Sequence, residues 1–257
     1  MKFLIGILIA SAISLFTYCK KTLTLSASLL AFTIIFSSYF FGGMYELGLL
    51  ILSYGLVAII DVVFDKRIKK VTREINKKSG TRDFIQVLVN GLPALISVLL
   101  FHMTQEPVFT IAYTIAITEA LADSIASDIG VLSKSQPVDI CTFKPIEKGM
   151  SGGISLLGTF ASMLACLLCS GIYFVRFHDM KMSFVILVGS FLGCLIDSIL
   201  GSRIQAKYRC AVCDKITEKN KHCDKNTIFL SGVRCIDNCM VNFISNTFSV
   251  LFAILIV

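Results

Sequence analysis

Apolar residues run in eight windows of about 20 residues, at 2–19, 23–41, 45–64, 84–102, 107–128, 152–175, 182–200 and 238–257. Each window is long enough for an α-helix to cross the ~30 Å hydrocarbon core of a bilayer. That core holds no water to satisfy a lipid-facing peptide group, so spanning segments of this kind must be helical. The predicted fold class is therefore all-α, a polytopic membrane bundle of about eight transmembrane helices. Charged residues make up only 16% of the chain, against about 25% in soluble domains. The first window, "MKFLIGILIASAISLFTYC", has the lysine and apolar core of a signal peptide. Phe16 and Tyr18 stand where a cleavage site wants small residues, so it is read as a retained first helix.

Loop charge sets the expected orientation. Lys20 and Lys21, the eight basic residues from Lys66 to Arg82, then Lys134, Lys144 and Lys148, and the eight from Arg203 to Arg234 all follow odd-numbered windows. They account for 21 of the 24 lysines and arginines; the other side holds Lys2, Arg176 and Lys181. The positive-inside rule makes the odd loops cytosolic and puts both termini outside. The net charge of +7 is thus a topology signal, and no nucleic-acid partner is expected. One integral membrane domain, 1–257, carries a basic cytosolic loop at 65–82 and a Cys-containing cytosolic loop at 203–235. The basic loop is expected to lie on anionic lipid headgroups, with Arg82, its member closest to Asn90, able to reach a cavity on that side.

The stretch "ITEALADSIASDIG" (117–130) ends the fifth window with three acids. A charge near a bilayer centre costs at least ~2.5–3.5 kcal/mol, and such groups face a protein interior or a cavity. Glu119, Asp123 and Ser127, spaced by four, share one helix face, whereas Asp128 points away. Two carboxyls one turn apart must share a proton, meet a basic group or hold a hard cation. Mg²⁺ takes one or two carboxylates completed by water and phosphate oxygens; Asp197, at the end of the seventh helix, is a candidate third ligand. Asp61, Asn90 and Asn242 fall in the same half of the bundle and are expected to face one cytosolic cavity. Glu46, His102, Glu106 and Asp179 read as loop residues of the other side, which speaks against a transport path through the membrane.

A second cluster is "FKPIEKGMSGGISLLGT" (143–159). Lys144 and Lys148 precede a turn in which Gly149, Gly152 and Gly153 permit close backbone approach, with Ser151 read as the N-cap of the next helix. Free N–H groups at such a start favour phosphate; close helix packing through small residues is the structural alternative. A third stretch, "IDSILGSRIQAKYRC", carries Asp197, Gly201 and Gln205 toward Arg203, Lys207 and Arg209, which either touch phosphate or anchor the helix at the headgroups. The Cys-rich loop holds Cys210 and Cys213, then His222 and Cys223. That spacing points to a structural Zn²⁺ knuckle, although adjacent His and Cys seldom bind one metal.

Five motifs, "QVLVNGLPAL", "EALADSIASDIG", "GMSGGISLLGT", "DSILGSRIQAKY" and "DNCMVNF", fall in the order of a known family. The chain resembles the membrane family of transmembrane protein 19 and plant phytyl-phosphate kinase, also called domain of unknown function 92. The resemblance covers nearly the whole chain. It implies kinship with CTP-dependent polyprenol and dolichol kinases, and a kinase that phosphorylates a prenyl phosphate or prenol at the cytosolic membrane face. It carries site roles to Asn90, Glu119, Asp123, Ser127, Gly149, Gly152, Gly153, Asp197, Gly201, Gln205 and Asn242. Ser124 and Asp128 stand where the family pattern has Thr and Glu. The expected cofactor is Mg²⁺ on Glu119, Asp123 and Asp197; the partners are a nucleoside triphosphate, CTP favoured, and an isoprenoid lipid acceptor in the bilayer. A cytidylyltransferase making a CDP-activated lipid, a cation- or proton-coupled transporter and a non-enzymatic scaffold are the alternatives.

Overall fold

The computed structural model describes residues 1–72 and 81–257, and the side chains of all of these but 65, 66 and 69–72. Eight helices are long and apolar enough to cross a membrane among these residues. They are α1 (Lys2–Cys19), α2 (Leu25–Ser37, prolonged by a π-turn at Ser38–Gly42), α3 (Met44–Thr72), α4 (Phe84–Thr104), α5 (Pro107–Gly130), α6 (Leu156–Phe177), α7 (Met180–Arg203) and α8 (Asn238–Ile256). All eight predicted windows are helices. Two differ at their ends: α3 continues to Thr72, into the expected basic loop, and α6 starts four residues late. Residues 73–80 of that loop, with their expected lipid contact, lie outside the described residues.

Local sequence explains the helix starts. Thr24, Asp83, Ser155, Asp179 and Asp237 each accept a hydrogen bond from a backbone N–H two or three residues on, satisfying donors a helix start leaves unpaired. Pro107 opens α5, where its missing N–H costs nothing. Ser151 is not the cap of α6; Ser155 is. Its Oγ accepts from Gly158 N (3.1 Å) and donates to Gly130 O (3.2 Å), tying the end of α5 to the start of α6. Gly130 ends α5 as predicted, but Val131 beyond it is right-handed, so the glycine serves close packing rather than a left-handed stop.

The central element is α5. Of its span 72% is buried, against 39% or less for every other helix, and it packs against α3, α4, α6, α7 and α8. Ala112, Ala116 and Ala122 are fully enclosed on it, letting neighbouring backbones come close where lipid supplies no hydrophobic drive. The outer faces of α1, α6, α7 and α8 keep exposed Leu, Phe and Ile side chains, the surface a bilayer would cover.

Small β elements occupy the loops at the Lys/Arg-rich end. β1 (Val138–Asp139) pairs antiparallel with β2 (Gly153–Ile154). In the Cys-rich loop β3 (Lys207–Arg209) lies between β4 (Ile216–Thr217) and β7 (Ile228–Ser231), while β5 (Lys221–His222) and β6 (Lys225–Asn226) form a hairpin. These segments are too short and too far apart in sequence to leave a period in the pattern. A Cβ added at Gly158 would stand 2.7 Å from Ala126 O and 3.0 Å from Gly130 Cα, both backbone atoms, whereas Gly171 has nothing within 4 Å. Gly158→Val should therefore destabilise the detergent-solubilised protein by about 1–3 kcal/mol, read as a lower melting temperature, with Gly171→Ala near wild type.

Candidate functional site

The acids of α5 meet donors from α8. Glu119 is 2% exposed; its Oε1 accepts from Ser245 Oγ (2.9 Å) and its Oε2 from Asn246 Nδ2 (2.6 Å). Asn246 Nδ2 also donates to Ala116 O (2.8 Å). Ser245 Oγ lies 3.2 Å from Asp197 Oδ2 on α7, so one hydroxyl joins the carboxyls of two helices. One turn earlier on α8, Asn242 Nδ2 reaches Asp123 Oδ2 and Asn90 Oδ1, each at 3.4 Å. Asn90, Glu119, Asp123, Asp197 and Asn242, from four helices, are thus brought together as expected.

Gly193 makes that approach possible. A Cβ there would overlap Ser249 Oγ and stand 2.7 Å from Glu119 Cγ. Neither Gly193 nor the α8 residues Ser245 and Asn246 were singled out in the sequence. Asn242, Ser245, Asn246 and Ser249 on one apolar helix are the signal that could have found the last two, since polar groups within a membrane helix need partners.

The glycine-rich turn joins the same network from the loop side. Gly149 (φ 89°) and Gly152 (φ 85°) are left-handed. A Cβ at Gly152 would lie 2.6 Å from Ser202 N, and one at Gly201 would lie 3.0 Å from Gly152 N. The turn is therefore seated on the end of α7, where only glycine fits on both sides. Ser151 Oγ donates to Asn238 Oδ1 (3.3 Å), and Asn238 Nδ2 to Asn242 Oδ1 (2.7 Å), a chain that leads from the turn to Asp123. Ser151 N donates to Glu218 Oε1 (2.8 Å) of the Cys-rich loop. Ser151 N thus carries a carboxylate of the chain's own Cys-rich loop, and it does so within a loop and not at a helix N-terminus.

Asp139, also unforeseen, anchors this loop. Its Oδ2 accepts from Ser202 Oγ (2.7 Å), and its Oδ1 from the N–H groups of Cys141 and Thr142 and the Thr142 hydroxyl. Burial pushes its pKa up, but these donors prevail and hold the carboxyl below its usual range.

Other expected members take different places. Lys148 Nζ donates to Ser133 O, whereas Lys144 is exposed beside the turn. Gln205 is 1% exposed, and its carboxamide makes no hydrogen bond among the described residues. Ser127 is exposed and Asp128 half-buried. Arg82 Nη2 pairs with Asp61 Oδ2 of α3 at 3.5 Å. Glu46 is not a loop residue but is 5% exposed in the first turn of α3, at the opposite end of the bundle.

The three acids expected to ligate Mg²⁺ are not equivalent. Each Glu119 oxygen accepts one hydrogen bond, from Ser245 or Asn246, and the residue is buried, whereas Asp123 and Asp197 are half-buried. Their hard oxygen donors suit a cation that keeps water and phosphate oxygens in its shell; Glu119 suits the role of fixing Ser245, and through it Asp197. Among the described residues, one group of His, Cys, Asp or Glu is compact enough to enclose an ion outright, and it lies elsewhere: Cys210, Cys213, His222 and Cys223, whose ligand atoms all fall within 4.8 Å of one another. There the Cys213 and Val212 backbone N–H groups hold the Cys210 thiol down at about 6, while desolvation and the neighbouring sulfurs push Cys223 up to about 11.

Two predictions follow from these contacts. Asn246→Ala strips a donor from a buried carboxyl and should cost about 1–3 kcal/mol in thermal unfolding; a wild-type melting temperature would refute the assignment. Because the folded-state pKa of Asp139 is lowered, its contribution is present at neutral pH and lost as pH falls through that value. Asp139→Asn should therefore lower the neutral-pH melting temperature and flatten its decline on the acid side.

The sequence comparisons agree with this architecture. The family model described as integral membrane protein DUF92 matches residues 8–250. Protein PGR of Arabidopsis thaliana is 29% identical over 271 residues, 95% of this chain and 92% of its own. An uncharacterized membrane protein of Methanocaldococcus jannaschii is 29% identical over 171 residues, 66% of this chain and 68% of its own. No solved structure matches. A chain with eight apolar helices that matches this model over nearly its whole length belongs to the DUF92 family of integral membrane proteins.

Proposed function

We propose that this protein is a phosphotransferase acting at the cytosolic face of the membrane, transferring the γ-phosphoryl of a nucleoside triphosphate, CTP favoured, to a prenyl phosphate or prenol. The observation that carries the reading is the convergence of Asp123 and Asp197 on α8 donors that are themselves linked to the glycine-rich turn. Phosphoryl transfer asks a protein mainly to position its reactants and neutralise charge, and a turn that accepts an anion beside two half-buried carboxyls supplies both. The resemblance to phytyl-phosphate kinase and the polyprenol kinases gives the acceptor class and the base.

The roles divide as follows. The turn at 149–153 cradles nucleotide phosphates, which displace the Glu218 carboxylate from Ser151 N, with the exposed Lys144 adding charge. Asp123 and Asp197 would hold Mg²⁺, which when bound would neutralise charge on the phosphate oxygens. Glu119 acts as a positioning residue through Ser245. Asn90 and Asn242 orient the acceptor head group, and its isoprenoid tail lies in the apolar bundle. The acceptor oxygen bonds the γ-phosphorus as the bond to the β–γ bridging oxygen breaks, releasing the nucleoside diphosphate. A prenyl phosphate is already anionic; a prenol would give its proton to Asp123.

The test is purified protein in detergent with Mg²⁺, labelled CTP or ATP, and a panel of prenols, prenyl phosphates and phosphatidate. Label passing to lipid from the γ position is the expected result. Label from the α position with pyrophosphate release would mean a cytidylyltransferase, and none from either would sink the proposal. Asp123→Asn should lower turnover at least a hundredfold, and Lys144→Ala should raise the nucleotide KM several-fold with a smaller change in kcat.

A further inference from the structure

The Cys-rich loop holds a group that the phosphotransfer reading does not use. Cys213 Sγ lies 3.8 Å from Cys223 Sγ and 3.5 Å from His222 Nδ1, and Cys223 Sγ lies 3.2 Å from the same nitrogen. A tetrahedral Zn²⁺ with Zn–S bonds of about 2.3 Å and Zn–N bonds of about 2.0–2.1 Å has S···S edges of about 3.8 Å and S···N edges of about 3.5 Å. The Cys213 contacts match those edges, and the Cys223–His222 edge is slightly short, as neighbours in sequence would be. Cys210, Cys213 and Cys223 are all free cysteines.

The backbone explains how adjacent residues serve one ion. In a regular strand His222 and Cys223 would point to opposite faces. Here Lys221 pairs with Asn226 and His222 with Lys225, leaving Cys223 and Asp224 as a two-residue hairpin loop with φ of 51° and 58°. Positive φ at both positions is the type I′ turn, and it swings the thiol back beside the imidazole. Neither residue is glycine, so the turn is held against its intrinsic preference. On the other side Val212 N donates to Cys210 Sγ (3.4 Å), orienting that sulfur into the group.

We infer that Cys210, Cys213, His222 and Cys223 form a tetrahedral Zn²⁺ site that clasps the loop from Cys210 to Cys223 and so presents Glu218 to Ser151 N. The clasp spans β4, which pairs with β3 directly beyond α7. Lys219 O accepts from Thr227 Oγ1 (2.8 Å), extending the same rigid unit to the far side of the hairpin. Softer thiolate donors select zinc over the hard cation proposed for Asp123 and Asp197, so the two sites do not compete for one metal.

Metal content tests this independently of turnover. Full-length protein, purified in detergent without added metal, should carry about one zinc per chain by elemental mass spectrometry. Cys213→Ser and Cys223→Ser should lower it at least fivefold, Cys223→His should retain it, and Cys235→Ser, outside the group, should leave it unchanged. Replacement by Co²⁺ should give the intense visible absorption of a tetrahedral thiolate site, a readout that needs no variant to fold. Chelation should raise hydrogen exchange in 214–222 and at the 149–153 turn. Zinc-free wild-type protein, a pale octahedral cobalt spectrum, or zinc content indifferent to Cys213→Ser would overturn the site. Exchange unmoved by chelation would overturn its hold on Glu218. Loss of phosphotransfer with zinc intact would fault the functional proposal alone.

Discussion

A carboxyl buried in a membrane helix has to find hydrogen-bond donors on another helix, and most of this architecture follows from how Glu119 finds them. Placing such a group at membrane depth costs about 2.5–3.5 kcal/mol even on lenient scales. A buried polar group left without a partner costs about 1–3 kcal/mol, and Ser245 and Asn246 remove that cost by reaching Glu119. Donors only 2.6–2.9 Å away require α8 to lie against α5, and Glu119 and Ser249 to fit beside α7, which is why position 193 has no side chain. The arrangement also brings Asp197 to Ser245 and Asp123 to Asn242. The buried acid thereby positions two half-buried ones.

The loops continue the same logic outside the helices. Gly152 and Gly201 are a reciprocal pair: a side chain on either would collide with the backbone of the other segment. Asp139 holds Ser202 from the opposite side of the turn. With the turn fixed on the end of α7, Ser151 can pass the network to Asn238 and Asn242. At this turn Met150 N and Gly153 N are bonded within the loop, and Ser151 N carries the Glu218 carboxylate.

How much of this could be read from the sequence depended on the range of the interaction. Helix number and approximate bounds rest on hydropathy over about 20 residues, whereas the caps at Thr24, Asp83, Asp179 and Asp237 that set the starts became visible only in the structure. Glu119 and Asp123 were conspicuous because acids are rare at such depth. Ser245 and Asn246 were not, since serines and asparagines are common in membrane helices and only the fold reveals which of them faces an acid. Ser151 looked like a cap because a helix pattern follows it, but β2 intervenes, and a two-residue strand carries no periodic signal. Arg82 went to Asp61, a partner distant in sequence. Adjacent His222 and Cys223 argued against one shared metal until the hairpin geometry was known.

The two ends of α5 show why the polar network stays at one end of the bundle. Beyond Glu119, toward the opposite end, Thr118 Oγ1 donates to Thr114 O and Thr114 Oγ1 to Thr110 O, each one turn back on the same helix. Hydroxyls bonded in this way satisfy their own helix, and Tyr45 meets Thr114 there through its phenol at 2.9 Å. Glu46 is buried farther along, but the segment between it and Glu119 is lined by enclosed Tyr113, Ile115, Ala116 and Ile117 as well as these threonines. A conducting path needs polar groups that can exchange partners with a passing ion. Threonines bonded to carbonyls of their own helix, among enclosed apolar side chains, separate Glu119 from Glu46 in this structure.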